Sequence, residues 1–316
     1  MITGYLALDP MALLRALPGN VAQGLIWGIM ALGVYITFRI LDFADLTVDG
    51  SLATGGAVAV MLIQSGMHPA VSLVFAFLAG MAAGFVTGFL HTALGIPGIL
   101  ASILTQISLY SVNLGIMGKA NQSIGLTQRN LVASSRYVTA DDSVFFFVKL
   151  VAGCLILVAV VYWLFGTELG SSIRATGCNP QMARAQGINT NFTKVIALMI
   201  SNGLVGLCGG IYAQYQGSAD VNAGRGAIVI GLSALNALTF SEVIFAKLCA
   251  GKKIAFAYTL AAVFVGAILY FVAYTLVLWL GVKSDYMKLF SAFVVAVFLA
   301  IPYLKGKYAG KKRRTK

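Results

Sequence analysis

Long apolar stretches separated by short polar intervals occupy most of the chain. They lie at 20–38, 51–64, 69–94, 97–117, 144–166, 195–214, 227–250, 254–280 and 288–304. A membrane-spanning helix needs about 20 predominantly apolar residues, and most of the stretches reach that length. The pattern predicts an all-α, polytopic membrane helix bundle of about eight or nine segments, which form one transmembrane domain over residues 20–304.

Two stretches depart from a simple crossing. The stretch 51–64 is short and follows an acidic run, which predicts a broken or re-entrant segment that other helices shield from lipid. The stretch 227–250 carries Asn236, Glu242 and Lys247, and it suits a short helix followed by an interfacial one. We therefore expect at least one segment that does not cross the bilayer fully.

Composition and charge agree with a membrane protein. Of the 316 residues 59% are hydrophobic and 10% are charged, whereas about 25% of residues in soluble domains are charged. The net charge is +12, and seven of the twelve residues in the tail 305–316 are Lys or Arg. By the positive-inside rule this basic tail is cytoplasmic, and contact with anionic membrane lipid is favoured over contact with nucleic acid.

Counting crossings back from a cytoplasmic tail orients the intervals between the stretches. The interval 167–194 then lies in the cytoplasm, and the interval 215–226 lies outside. Nine full crossings would put the N-terminal segment 1–19 outside, whereas one early re-entrant stretch would put it inside. The interval 39–49 holds three Asp and one Arg, which makes a poor cytoplasmic loop by charge and favours the re-entrant version.

Residue types needed for catalysis are sparse. The two histidines and four cysteines form no metal-like cluster and no Cys-x-x-Cys pair. A phosphate-binding loop of the form GxxxxGK[ST] is absent, and no nucleophile is accompanied by a recognisable base. The sequence therefore predicts a non-catalytic protein without a cofactor or metal, which does not bind ATP through a phosphate-binding loop.

The polar interval RATGCNPQMARAQGIN at 174–189 has the signals of a short, capped helix. Asn179 is a favoured N-cap, Pro180 suits the first helical position, and Gly187 suits a left-handed C-terminal cap. A helix of about seven residues is only about 10 Å long and is marginal in isolation. From spacing alone, a helix that docks on a partner and an ordinary capped loop are equally good interpretations.

Intramembrane polar residues mark candidate positions along a transport path, because each is expensive in lipid. Asp42, Asp45 and Asp49 would share one helical face, but Asp49 is better placed to cap the helix that follows. The other polar candidates have a rival role as hydrogen-bonding links between helices. The candidate path residues are Asp42, Asp45, Gln106, Asn113, Gln214 and Asn236.

Four runs of sequence carry a resemblance to a known family. They are TELGSSIRATGCNPQMARAQGIN at 167–189, SNGLVGLCGGIYAQYQGSADVNAGRG at 201–226, LDFADLTVDGSLATGGAV at 41–58 and LYSVNLGIMGKANQSI at 109–124. The first two resemble the membrane permease subunits of ATP-binding cassette (ABC) importers in the branched-chain amino acid and ribose permease superfamily. The other two are similar to the tryptophan or aromatic amino acid branch of that superfamily.

The resemblance implies a permease that works as a dimer, most simply a homodimer, in a bacterial inner (plasma) membrane. It also implies two copies of an ABC ATPase on the cytoplasmic side, a substrate-binding protein outside, and ATP-driven alternating access for an amino acid. Residues 179–187 would be the coupling helix within the loop 167–194. The residues that match the coupling pattern are Arg174, Asn179, Pro180, Ala183, Arg184 and Gly187.

The external interval 215–226 has two interpretations under this resemblance. Asp220 and Arg225 would be charged contacts with the binding protein, or the three glycines of the interval would fold it into a tight turn. A rival function is a transporter driven by an ion gradient, or a channel, that works without an ATPase. It would use the membrane acids as ion sites, but no inverted repeat is evident in the sequence and the capped helix would have no role.

Overall fold

The computed structural model describes residues 10–125, 131–134, 143–232 and 255–279, with single positions between 286 and 296. Its helices are α1 (Pro10–Tyr35), α2 (Thr47–Gln64), α3 (Pro69–Thr92), α4 (Gly98–Met117), α5 (Ser143–Gly166), α6 (Glu168–Cys178), α7 (Pro180–Ala185), α8 (Thr190–Gln216) and α9 (Ala255–Trp279). Two short strands, β1 (Asn121–Ser123) and β2 (Ser218–Asp220), pair antiparallel. Residues 227–232 are also helical.

Seven of these helices, α1 to α5, α8 and α9, are long and apolar enough to cross a membrane. The predicted all-α, polytopic membrane bundle is therefore confirmed. Some predictions lie outside the described residues. They are those for segment 1–9, for most of the stretches 227–250 and 288–304, for the tail 305–316 and for Asn236.

The helices alternate between two ends of the bundle. We call them the α7 end, which holds α6, α7 and the start of α8, and the β end, which holds β1, β2 and the end of α8. Helix α1 begins at the β end, where the Gly19 carbonyl accepts a hydrogen bond from the Tyr215 hydroxyl. It is extended by a π-helical turn to the α7 end, where Gly177 of α6 packs directly against the carbonyl of Ile40.

Helix α2 returns towards the β end. Near its start the Thr47 hydroxyl lies 2.7 Å from the Thr87 hydroxyl in the last turns of α3, and at its end Gln64 donates to the Ser123 carbonyl of β1. Residue 10 and α7 therefore lie at opposite ends of the bundle. This arrangement contradicts the expected re-entrant version, in which the N-terminal segment and residues 167–194 share one side.

The break in the early segment lies before α2 and not within it. Residues 41–46 are non-helical, whereas α2 is continuous over Thr47–Gln64. Leu41, Phe43 and Asp45 of the break are buried by the surrounding helices. The expected shielding of a broken segment is therefore confirmed, although its position was predicted too late in the chain.

Glycines let α2, α3 and α8 approach at backbone contact. A Cβ on Gly55 of α2 would collide with the Gly206 carbonyl of α8, and Cβ atoms on Gly80 and Gly84 of α3 would collide with the Asn202 and Leu198 carbonyls. Small residues permit such close crossings, where hydrophobic burial gives little advantage over lipid. The central layer of the bundle is thus α8 held between α2 and α3.

Candidate functional site

Helix α7 is a single, firmly capped element at one end of the bundle. The Asn179 side chain accepts hydrogen bonds from the backbone N–H groups of Gln181 and Met182, both at 3.1 Å, and Pro180 occupies the first turn. At its other end Gly187 has a φ of +84°. The Ile188 N–H donates to the Ala183 carbonyl at 3.0 Å, which completes a Schellman cap. The predicted caps are therefore confirmed.

The two faces of α7 differ. Ala183 is buried against the bundle, whereas Met182 is 63% exposed. Arg184 is exposed as a residue, but its Nε donates to the hydroxyl of the buried Thr190 at 2.7 Å and so ties α7 to the first residue of α8. Among the predicted coupling residues, Ala183 thus faces the bundle. The apolar side chain exposed on the outer face is that of its neighbour Met182.

Arg174 lies apart from the outer face of α7. Its guanidinium is over the Phe256 ring of α9 at 4.2 Å and 5.4 Å from the Phe165 ring of α5. These cation–π contacts fix α6 against two membrane helices at the α7 end. Among the described residues, Arg174 therefore holds α6, and with it α7, against α5 and α9. Its guanidinium does not lie on the outer face of α7.

The three aspartates of the early segment have different environments. Asp42 is exposed and has a φ of +55°, so residues 42–49 do not present one helical face. Asp49 does not cap its own helix, contrary to expectation. Its carboxylate instead accepts hydrogen bonds from the backbone N–H groups of Gly226 and Ile228, at 3.1 and 3.0 Å.

Asp45 belongs to a buried hydrogen-bond network. One carboxylate oxygen accepts from the Thr47 N–H at 2.9 Å and the other from the Asn202 amide at 2.7 Å. The Asn202 carbonyl oxygen in turn accepts from the Ser51 hydroxyl at 2.6 Å. The network joins the break to α2 and α8, so Asp45 acts as a link between elements. The sequence analysis did not select Asn202, although it follows Ser201 within the apolar stretch 195–214, the same signal that selected Gln214.

Of the remaining path candidates in the described residues, one links neighbouring segments by hydrogen bonds and two line a cavity. Gln214 is a link, because its amide group donates to the Pro69 carbonyl and its oxygen accepts from the Val132 N–H. Gln106 and Asn113 of α4 line a cavity of about 320 Å³, together with Asp49, Tyr110 and Arg225. The Asn113 side chain is buried, and both its amide atoms lack a partner within the described part of the chain.

The interval after α8 returns into the bundle. Strand β2 lies beside β1, and the Val221 N–H donates to the Ala120 carbonyl. Gly224 then packs on the Asp49 carbonyl, within the first turn of α2. Asp220 is half-buried and accepts from the Asn222 N–H at 2.7 Å, as in a tight turn. The turn interpretation therefore describes residues 221–226 of the interval, and a contact between Asp220 and a binding protein stays a prediction.

Arg225 lies where this returning segment passes between two cavities. It lines the cavity of about 320 Å³, and it also lines a larger one of about 650 Å³. Five aromatic residues line the larger cavity; they are Trp27, Tyr212, Tyr270, Phe271 and Tyr274. Sequence reasoning placed Arg225 on an outer loop and missed the aromatic group, whose members come from α1, α8 and α9.

Comparison with known proteins identifies the family. Residues 19–302 match the family described as the permease component of the branched-chain amino acid transport system. The chain belongs to this permease family. The predicted superfamily is confirmed, and with seven apolar helices the permease is a multi-pass membrane protein and a transport component.

Individual relatives narrow the comparison. The permease is 37% identical over 278 residues to the tyrosine transport system permease protein of Clostridioides difficile (strain R20291), with 88% of each chain covered. It is 32% identical over 282 residues to an uncharacterized protein of Rickettsia prowazekii (strain Madrid E), with 88% of this chain and 94% of the other covered.

A shorter match is 31% identical over 185 residues to the autoinducer 2 import system permease protein LsrC of Yersinia pseudotuberculosis, with 56% of this chain and 49% of the other covered. No solved structure matches the chain. The tyrosine permease in this group agrees with the predicted resemblance to the aromatic branch.

Proposed function

We propose that the permease is the membrane subunit of an ATP-driven importer for amino acids, aromatic ones among them. Two copies of an ABC ATPase dock at the α7 end, a substrate-binding protein delivers substrate at the β end, and a second copy of the chain completes a homodimer. The α7 end and the basic tail 305–316 face the cytoplasm of a bacterium. Family membership and the tyrosine permease relative support this proposal.

Helix α7 is the observation that carries the proposal. At six residues it is about 9 Å long, too short to cross a membrane and too short to be stable alone. It is nevertheless capped at both ends and anchored through Arg184 to Thr190. A rigid projection of this kind, with exposed Met182 at its outer face, suits insertion into a groove on a partner, since methionine adapts to irregular apolar surfaces.

The proposed mechanism needs no catalytic group in the permease itself. Closure of an ATPase pair around ATP would move the two docked α7 helices as rigid bodies. Arg184 joins α7 to α8, and Arg174 joins α6 to α5 and α9, so the motion would reach the membrane helices through packed contacts. Rigid-body movement of helices about an interface is a common route to alternating access.

An ion-gradient transporter or channel is the alternative. Its strongest support is the buried Asp45 at a helix break, the kind of position that binds ions in secondary transporters. Both carboxylate oxygens of Asp45 are, however, engaged by Thr47 and Asn202. This arrangement favours a structural link over an ion site.

A docking test should alter the outer face of α7 without disturbing its internal bonds. Arg184→Glu is a poor choice because it also removes the bond to Thr190. Met182→Glu places a charge on the exposed face, and Met182→Leu is its matched control. Each variant is co-expressed with the ATPase and binding protein that the proposal requires, and ATP-dependent uptake of labelled L-tyrosine into proteoliposomes is measured together with ATPase co-purification.

We expect Met182→Leu to retain uptake and Met182→Glu to lose both uptake and co-purification, while the thermal unfolding midpoint of the isolated permease is unchanged. Full ATP-dependent uptake by Met182→Glu would refute docking through α7. Uptake by the wild-type permease without an ATPase, driven by an imposed proton or sodium gradient, would favour the alternative function.

A further inference from the structure

The guanidinium of Arg225 is an unusual group for its position. The segment that carries it returns from the β end into the bundle, as far as the first turn of α2. Within the described part of the chain, its side-chain contact is the face of the Tyr110 ring, 5.9 Å away. The carboxylate of Asp49 lines the same small cavity, but it is held by the N–H groups of Gly226 and Ile228.

An arginine among membrane helices normally pairs with an acid or faces a water-filled path, because a charged side chain is costly in lipid. Arg225 is exposed to two cavities and has no acidic partner among the described residues. A guanidinium presents a planar fork of donors that matches a carboxylate in two parallel hydrogen bonds. Since the Asp49 carboxylate in the same cavity is held by Gly226 and Ile228, the carboxylate of a ligand that enters the cavity suits the guanidinium donors of Arg225.

The larger cavity also offers a surface for an aromatic ring. Trp27 lies 5.2 Å from Tyr212 and 6.0 Å from Phe271 between ring centroids, and Tyr274 lies 6.3 Å from Phe271. Centroid separations of about 4.5–7 Å are those of favourable ring pairs, so an entering ring can join the group. At about 650 Å³ the cavity falls within the range of about 300–1,000 Å³ typical of small-molecule sites.

Two polar side chains, those of Trp27 and Gln216, lie in the wall of the larger cavity. The Trp27 side chain is buried, and its indole N–H has no partner within the described residues. Gln216 donates its amide to the Tyr212 hydroxyl at 2.6 Å, which leaves its carbonyl oxygen to accept from an ammonium or hydroxyl group. Buried polar groups without partners are rare in proteins and point to a ligand or an ordered water.

We propose that this cavity is a substrate site of the permease, in which Arg225 binds the carboxylate of an aromatic amino acid and the rings around Trp27 hold its side chain. This inference rests on the proposed function for its substrate class. It adds that the permease itself recognises both ends of the substrate, independently of a binding protein. Because Arg225 borders both cavities, a carboxylate held there would lie at the boundary between them.

Binding to the isolated permease tests this inference without an ATPase. The permease is placed in lipid nanodiscs, and binding of labelled L-tyrosine is measured with unlabelled L-tyrosine, tyramine and L-alanine as competitors. Tyramine keeps the ring and ammonium but lacks the carboxylate, whereas L-alanine lacks the ring. We expect tyramine to compete about 10- to 100-fold more weakly than L-tyrosine, as for the loss of hydrogen bonds to a charged group.

The variants assign this selectivity to particular residues. Arg225→Met should weaken L-tyrosine binding to the level of tyramine and remove the difference between them, and Arg225→Lys should restore part of it. Lys119→Met, which removes an exposed cation at the β end, is the matched control and should bind as the wild type does. Tyr274→Leu should weaken both aromatic ligands while the preference for a carboxylate remains.

Several results would overturn the site. The first is equal competition by tyramine and L-tyrosine. The second is a preference for L-tyrosine over tyramine that survives in both Arg225 variants while their thermal unfolding midpoints match the wild type. The third is no binding of L-tyrosine by the wild-type permease. In each case ATP-driven uptake by the complete importer could still occur, so failure of this inference is distinguishable from failure of the proposed function.

Discussion

The close crossing of α2 and α8 allows the effect of Gly55→Ala on the free energy of unfolding to be predicted. The nearest atoms to an added Cβ are the oxygen, carbonyl carbon and Cα of Gly206, all of them backbone. No side-chain rotation can relieve such a collision, so the two helices must separate. In α5, by contrast, a Cβ on Gly153 would meet nothing within 4 Å. Gly153→Ala is therefore a control that adds the same methyl group to a helix without the collision.

The two substitutions should change the free energy of unfolding in opposite directions. Alanine is favoured over glycine in a helix interior by about 1 kcal/mol, and both variants gain this amount. Adding a methyl group to a packed interior costs about 1–3 kcal/mol, and the upper value applies where backbone is the obstacle. Gly55→Ala should thus lose about 2 kcal/mol, a change of about 30-fold in the folding equilibrium.

Unfolding in mixed detergent and SDS micelles measures both variants by the same method. The difference between their unfolding free energies isolates the collision, which we expect to be about 3 kcal/mol. ATP-dependent uptake should fall with Gly55→Ala in proportion to the loss of folded protein. If the two variants shift stability by equal amounts in the same direction, the close contact between α2 and α8 is refuted.

Two further variants test local features. Asn202→Leu removes hydrogen bonds to Asp45, Ser51 and the Leu198 carbonyl. We expect the free energy of unfolding to fall by about 2–4 kcal/mol in the same assay. A fall below about 1 kcal/mol would show that the network contributes little. Asn179→Ala removes the α7 cap, and it should cost about 1 kcal/mol of helix stability and weaken ATPase co-purification. Asn179→Asp keeps the acceptor and should behave as the wild type. Equal co-purification by the two variants would contradict the role of the cap.

Features set by neighbouring residues could be predicted from the sequence. Asn179, Pro180 and Gly187 act within one short segment, so their order along the chain was enough to place the caps of α7. The membrane helices were visible for the same reason, because an apolar stretch of sufficient length is a local property. The direction in which a side chain faces depends on distant contacts and could not be predicted. Ala183 matched the coupling pattern, yet it packs inward against the bundle.

Features that depend on distant contacts could not be predicted. The return of residues 221–228 into the bundle relies on hydrogen bonds from Gly226 and Ile228 to Asp49, which lie 177 and 179 residues apart in the sequence. From sequence, Asp49 had every property of a cap for its own helix. The aromatic cavity is still less visible, since Trp27, Tyr212 and Phe271 are far apart in the chain and each alone is an ordinary membrane residue.

Helix α8 runs between the α7 end and the aromatic cavity as one continuous helix. It runs from Thr190, which holds Arg184 of α7, to Gln216, which lines the aromatic cavity. With 27 residues, it is a rod of about 40 Å. If the glycine crossing at Gly206 serves as its fulcrum, the Gln216 end lies about 15 Å from the pivot, and a tilt of about 5° would displace that end by about 1.3 Å. A small tilt of α8 would therefore change the width of the aromatic cavity by about 1 Å.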